Sequence, residues 1–270
     1  MFCDINGCSE RQKSVIHQTA IIDPTATIAD DVEIGPYSII GANVEIGSGT
    51  WIGPHVVING PTKIGKDNRI FQFASIGEEP QDLKYNGEDT SLEVGDRNTI
   101  REYVTFNRGT PDDAGVTRVG SDNLFMAYSH VAHDCQVGDH VIYANAASTA
   151  GHVHVGDHAI LGGFTAVHQF TQIGEHSFSG LGTIVNRDIP PYVIVAGNHA
   201  QAYGLNKNGL KRRGFEADVI RALHKTYKLL VKGRHKRDEI QTEIDDLSQQ
   251  FEEVKKMVEF IDASERGIVR

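Results

Sequence analysis

Residues 33–53 read Glu-Ile-Gly-Pro-Tyr-Ser-Ile-Ile-Gly-Ala-Asn-Val-Glu-Ile-Gly-Ser-Gly-Thr-Trp-Ile-Gly, with isoleucine at 34, 40, 46 and 52 and glycine immediately after each. The beat of six runs outward in both directions, since positions 16, 22, 28, 58, 64, 70 and 76 are also isoleucine. It returns with Val94, Ile100 and Phe106, slips by one residue, and resumes at Val119, Phe125, Val131, Val137, Tyr143, Thr149, Val155, Leu161, Val167, Ile173 and Val185. Four residues after a repeat position the side chain is usually small, as at Ala74, Ser129, Cys135, Ala147 and Ala159. An amphipathic helix needs a period near 3.6, which a beat of six fails over the whole length. Two inward positions two residues apart, followed by a glycine-rich corner, describe a short strand and a tight turn. Three such strands close a triangular coil, and stacked coils bury a continuous apolar prism.

Two polar stretches leave the beat. Residues 78–91 (Glu-Glu-Pro-Gln-Asp-Leu-Lys-Tyr-Asn-Gly-Glu-Asp-Thr-Ser) and residues 107–118, which carry Pro111 and Gly115, are expected to loop out of the prism. Long excursions from a regular scaffold tend to carry function. After Pro190 and Pro191 the pattern changes: Ile220, Leu223, Tyr227 and Leu230 predict one amphipathic helix. The run Ile240, Ile244, Leu247, Phe251, Val254, Val258 and Ile261 predicts a second, longer one. The division is therefore an extension at 1–14, a prism at 15–191 and a helical domain at 192–270.

Charge is segregated. Residues 207–237 hold eleven Lys or Arg against Glu216 and Asp218, a balance of +9 in a chain whose net charge is −10. A basic surface on an acidic protein points to an acidic partner or a phosphate group rather than to nucleic acid. Cys3, Cys8 and Cys135 make no disulfide framework, and no stretch is apolar for long enough to span a bilayer, so the sequence reads as a soluble cytoplasmic protein.

The histidines take their meaning from the repeat. His130, His133, His152 and His168 all fall outside the inward rows. Counting by eighteen stacks His133 on Gly151 and Gln169, and Asp134 on His152 and Phe170. With coils about 4.8 Å apart, His133, Asp134, Gly151, His152, His168 and Gln169 should gather at one corner, while Cys135 belongs to the core. An imidazole beside a carboxylate suits proton abstraction near neutral pH. The N–H of Gly151 could serve a developing oxyanion. No Gly-x-Ser-x-Gly and no activated cysteine appears, which favours direct transfer to an oxygen nucleophile.

The repeat resembles the hexapeptide-repeat family, whose fold is mainly β, a left-handed parallel β-helix. The strings His-Val-Ala-His-Asp-Cys, Ala-Gly-His-Val, Val-His-Gln-Phe, Gly-Asn-His-Ala and Gly-Leu-Lys-Arg-Arg-Gly-Phe, with Phe-Ala-Ser-Ile-Gly and Gln-Asp-Leu-Lys-Tyr ahead of them, resemble the UDP-N-acetylglucosamine O-acyltransferases of lipid A synthesis. The resemblance implies transfer of an (R)-3-hydroxyacyl group from acyl carrier protein to the sugar 3-hydroxyl, on a homotrimer with sites between subunits. No metal or resident cofactor is implied, because the donor acyl group is carried on the carrier's phosphopantetheine. It implies His133 as general base, Asp134 as its orienting partner and Gly151 as the oxyanion contact. Asp82, His130, His152 and Gln169 would meet sugar or acyl groups and Lys84 the phosphopantetheine, with His168, His199, Asn206, Arg212 and Arg213 serving the nucleotide.

Three residues depart from the family pattern: Asn107 stands where many members have His, Asn208 where many have Glu, and Leu181 where a Gly is common in enzymes of longer acyl chains. Leu181, at the position of an acyl-chain ruler, is expected to select 3-hydroxydecanoyl over 3-hydroxymyristoyl. A 3-amino sugar nucleotide is the alternative acceptor. A zinc enzyme of the γ-carbonic-anhydrase kind shares the prism but has a His-x4-His spacing absent here. The sibling N-acyltransferases resemble a form with a uridine-binding domain ahead of the repeats, for which residues 1–15 leave no room.

Overall fold

A computed structural model describes residues 15–233 and 236–270; the extension at 1–14, with Cys3 and Cys8, lies outside the described residues. The six-residue beat becomes a three-sided left-handed parallel β-helix. Sheet A holds the strands from Val15–Ile16 to Val193–Ala196, sheet B those from Ile21–Ile22 to Ile184–Val185, and sheet C those from Thr27–Ile28 to Gln172–Ile173. Most strands are two residues long, enough for one side chain in and one out. Ile34, Ile40, Ile46, Ile52, Ile58 and Ile64 are buried in successive walls, each such burial worth about 1.5–3 kcal/mol relative to exposure. Coils are in register at eighteen residues, Trp51 pairing with Arg69 and Ile52 with Ile70.

From Tyr37 onward most corners turn through a residue with positive φ three positions after the inward one. Asp134 (φ 58°) and His152 (φ 60°) are two of them, and Asp and His are among the residue types that tolerate this left-handed geometry. Stacked coils bring these positions into columns. Tyr37, His55, Phe73, Tyr103 and Tyr128 stack along the A/B corner with ring centroids 4.8–5.4 Å apart. His140, His158, His176 and Tyr192 do the same along the C/A corner. The site described below occupies the B/C corner.

The excursions are tighter than the sequence suggests. Pairing continues through Glu78 and resumes at Ser91, and it continues through Asn107 and resumes at Val116. The loops proper are therefore 79–90 and 108–115, because backbone groups next to a sheet edge are satisfied by extending the ladder.

Two expectations for the C-terminal part need correction. The prism does not stop at Pro191: the strand Val193–Ala196 still pairs with Phe178–Ser179 of sheet A, then turns back as an antiparallel hairpin with Gln201–Leu205. The expected long helix is two, α3 (Arg237–Gln250) and α4 (Glu252–Ala263), following α1 (Lys207–Arg212) and α2 (Ala217–Tyr227). Phe251, with φ −134° and ψ 115°, breaks the run, which lets α4 fold back on α2 and α3 and bury Val254 and Met257. Helix α2 continues into one π turn, Lys228–Lys232, that buries Leu230 and Val231. Ile268 and Val269 return to the prism, where Ile268 pairs with Asp188. No helix among the described residues is long and apolar enough to cross a membrane.

Candidate active site

His133 and Asp134 occupy the turn between His130–Val131 of sheet B and Gln136–Val137 of sheet C. His133 Nδ1 lies 2.9 Å from Asp134 Oδ2. With Nδ1–H donating to the carboxylate, Nε2 is left as the free lone pair. Asp134 is almost wholly buried, at 1% exposure. Burial opposes its ionisation, yet the hydrogen bonds from His133 and from the side chain and backbone of Thr110, with the charge of His152, outweigh burial and hold the carboxyl below its usual range.

One coil further on, Gly151 and His152 occupy the equivalent turn. A side chain at Gly151 would bring its Cβ within 2.4 Å of His133 Cε1 and 2.7 Å of Nε2, so glycine is what lets the imidazole lie against the next coil. The N–H of Gly151 has no partner among the described residues. His152 stacks on Phe170 of the following coil, centroids 4.5 Å apart. Its Nε2 lies 3.7 Å from Asp134 Oδ2 and its Nδ1 3.2 Å from Asp113 Oδ2. The ligand-capable atoms of His133, Asp134 and His152 lie within 4.8 Å of one another, close enough to be considered as metal ligands. Both oxygens of Asp134 already accept hydrogen bonds, however, an arrangement that suits a proton-handling pair.

The other expected residues divide. His130 points out of sheet B with Nδ1 2.7 Å from Thr105 Oγ1, and burial keeps its imidazole below the usual range, hence neutral. Gln169 and His168 are exposed on the corner above, and His168 Nδ1 lies 3.1 Å from Arg266 Nη2 of the C-terminal tail. Asp82 and Lys84 sit in loop 79–90, which reaches loop 108–115 through Lys84 and Asp112 at 3.8 Å. His199 is exposed in the hairpin and Arg212 at the end of α1. Asn206 and Arg213 also make bonds within the fold: Asn206 caps α1 by accepting from Gly209 N and donates to the His176 carbonyl, while Arg213 Nη2 donates to the His158 carbonyl at 3.2 Å. Leu181 projects from the A/B corner at 78% exposure. Asn107, the first departure, is buried and donates to the Glu79 carbonyl at 2.8 Å.

Sequence reasoning missed Thr110 and Asp113, which lie in an excursion with no frame to locate them. A groove that runs along sheet C beneath α4 is lined by residues including Arg118, His154 and Phe260, and His133 and Asp134 are not among them.

The comparisons with known proteins converge on one family. A profile described as Udp N-acetylglucosamine O-acyltransferase, Domain 2, matches residues 188–269, and one described as bacterial transferase hexapeptide (six repeats) matches residues 13–48. The acyl-[acyl-carrier-protein]--UDP-N-acetylglucosamine O-acyltransferase of Thiobacillus denitrificans is 53% identical over 95% of this chain and 100% of its own. The chain belongs to the UDP-N-acetylglucosamine O-acyltransferase family. Within that family, the Moraxella catarrhalis UDP-N-acetylglucosamine O-acyltransferase superposes with a TM-score of 0.91 at 48% identity, over 94% of this chain and 99% of that one. The Arabidopsis UDP-N-acetylglucosamine acyltransferase gives 0.82 at 32% identity, over 95% and 100%. The family's prism and helical tail are thus present here nearly end to end.

Proposed function

We propose that the protein transfers an (R)-3-hydroxyacyl group from acyl carrier protein to the 3-hydroxyl of UDP-N-acetylglucosamine. The observation that carries this is the His133–Asp134 pair at 2.9 Å beside a side-chain-free Gly151, in a chain of this family. His133 Nε2 takes the sugar hydroxyl proton as the oxygen attacks the thioester carbonyl. Negative charge gathers on the carbonyl oxygen, for which the Gly151 N–H is the donor at hand. The tetrahedral adduct collapses, the carbon–sulfur bond breaks, and the departing thiolate of the carrier recovers the proton from His133. Asp134 fixes the tautomer and stabilises the imidazolium between the two transfers. The chemistry needs no metal and no cofactor beyond the phosphopantetheine that the donor brings.

The surroundings support the same reading. The outward residues of sheet B between the His133 corner and the Leu181 corner are His130, Ser148, Ala166 and Ile184. The small Ser148 and Ala166 leave a shallow track for an alkyl chain, and Leu181 stands at its far end. That placement favours 3-hydroxydecanoyl as donor. His130, His152, Gln169 and Asp82 are assigned to sugar or acyl contacts, Lys84 to the phosphopantetheine, and His168, His199, Asn206, Arg212 and Arg213 to the nucleotide, Asn206 and Arg213 being held in place by their bonds to backbone carbonyls. The basic surface of α1 and α2 complements the diphosphate and an acidic carrier. A homotrimer is supported by what a lone chain leaves bare: Tyr37, Phe73, Tyr128, Phe164 and Leu83 are all exposed, an apolar display typical of an interface.

The test supplies 3-hydroxyacyl carrier proteins of several lengths with UDP-N-acetylglucosamine or its 3-amino analogue and identifies the product by mass spectrometry. An ester on the ordinary sugar is expected. An amide formed only from the 3-amino sugar would replace the acceptor assignment, and no product from any pair would remove acyl transfer.

A further inference from the structure

Loop 108–115 holds the Asp134 carboxylate more tightly than His133 does. Thr110 is buried, its N–H lies 2.9 and 3.0 Å from the two carboxylate oxygens, and its hydroxyl donates to Oδ2 at 2.6 Å. No other side chain among the described residues donates an O–H to Asp134. The Asp134 N–H is held in turn by Thr117 Oγ1 at 2.8 Å.

The residues before Thr110 fix its position. Gly109 has no room for a Cβ, which would stand 2.3 Å from Val116 N and 2.8 Å from Asp134 Oδ1. Arg108, buried at 7% exposure, is a plug between the two excursions: Nη1 donates to the Gly77 carbonyl at 2.6 Å, Nη2 to the Tyr85 hydroxyl at 3.3 Å, and Glu79 lies 3.9 Å away. The segment that grips Asp134 is therefore braced against the loop that carries Asp82 and Lys84.

We propose that Thr110 is a positioning residue for the His133–Asp134 pair, holding the carboxylate in the rotamer that aims His133 and drawing off part of its negative charge. This rests on the acyl-transfer reading for its kinetic consequence, though not for its electrostatic one. A charge-assisted O–H···O⁻ bond of this length is among the stronger kinds. With it removed, the carboxylate keeps more charge for the imidazolium, so the proton is held longer on His133, and the rotamer is less restrained.

The test compares Thr110→Val and Thr110→Ser with wild type, following the His133 ring protons by NMR titration in selectively labelled protein and measuring steady-state transfer. In T110V the His133 titration midpoint moves to higher pH. Its kcat falls about tenfold or more, KM for the sugar nucleotide stays within about twofold, and the acidic limb of the rate profile moves the same way. T110S returns both readouts towards wild type, and in a His133→Ala background T110V has no further effect. An unmoved titration midpoint in a folded T110V overturns the proposal, as does a T110V loss that persists at full size without His133. Wild type that transfers no acyl group would count against the proposed function alone, since the titration still decides the role of Thr110.

Discussion

Replacing Leu181 by glycine should lengthen the acyl chain the protein uses. Leu181 is 78% exposed, and its Cδ1 lies 3.1 Å from where a Cβ on Gly163 would stand, so the side chain folds over the glycine of the preceding coil at the end of the sheet B face. A 3-hydroxymyristoyl chain has four more methylenes than 3-hydroxydecanoyl. Burying them would contribute about 0.8 kcal/mol each, roughly 3 kcal/mol in all, so the proposed preference for the shorter chain requires steric obstruction of the longer one. Removing the obstruction allows that attraction to act, and the ratio of kcat/KM for the longer over the shorter donor should rise by up to about 10². Leu181→Ala should fall between. Fold stability should change little, because so exposed a side chain contributes little to packing. The assay sets the two acyl carrier proteins in competition and reads the product ratio by mass spectrometry. An unchanged ratio in a stable Leu181→Gly protein would refute the ruler, and a uniform loss with both donors would mean that Leu181 supports the site rather than measures the chain.

Gly151→Ala drives a Cβ into the His133 ring, forcing the imidazole off Asp134; kcat should fall about 10² or more with little change in Tm, by analogy with the cost of misplacing a reacting group by about 1 Å. Acid should loosen the C-terminal part through His176, whose imidazole is pushed down to about 4 by burial and by the nearby His158, Arg213 and Lys256 cations, partly opposed by Asp157. The unfolded histidine takes its proton near 6.5 while the folded one resists until about 4, so this stabilisation is complete above pH 6.5 and is lost as pH falls towards 4, by about 2 kcal/mol after allowing for solvent at the ring edge. Urea melts at pH 7 and pH 5 check this: His176→Phe, which keeps the ring stack, should flatten the difference, and an equal slope in the variant would reassign it. Asp134 acts in the same direction in a more acidic window, since its depressed value keeps its stabilisation intact above the ordinary 3.8 and loses it as pH falls through the lower folded value.

The prism was legible because its rule is local and repeated: each isoleucine of the beat needs only its own hexapeptide to be placed. The same counting brought Asp134 under His152 and His133 under Gly151, where the structure has them, and assigned Cys135 to the core, where burial pushes its thiol up to about 11. What escaped has no period. Thr110 and Asp113 reach the histidine corner from a loop whose path depends on Arg108 filling a space against Gly77 and Tyr85. Phe251 fits the helical spacing on both sides, and only the packing of α4 against α2 and α3 explains the break. Asn206 and Arg213 lie in a motif that suggests ligand contacts, and the packing adds what the motif does not show: Asn206 Nδ2 and Arg213 Nη2 each donate to a carbonyl of the His176 and His158 column.

His133→Ala, assayed for acyl transfer to UDP-N-acetylglucosamine alongside calorimetric binding of that nucleotide, bears most directly on the account. The expected result is a loss of roughly 10²–10⁴ in kcat, with nucleotide affinity within a few-fold of wild type and the fold unchanged. Transfer at the wild-type rate by the variant would contradict the general-base assignment and, with it, the role given to the histidine corner.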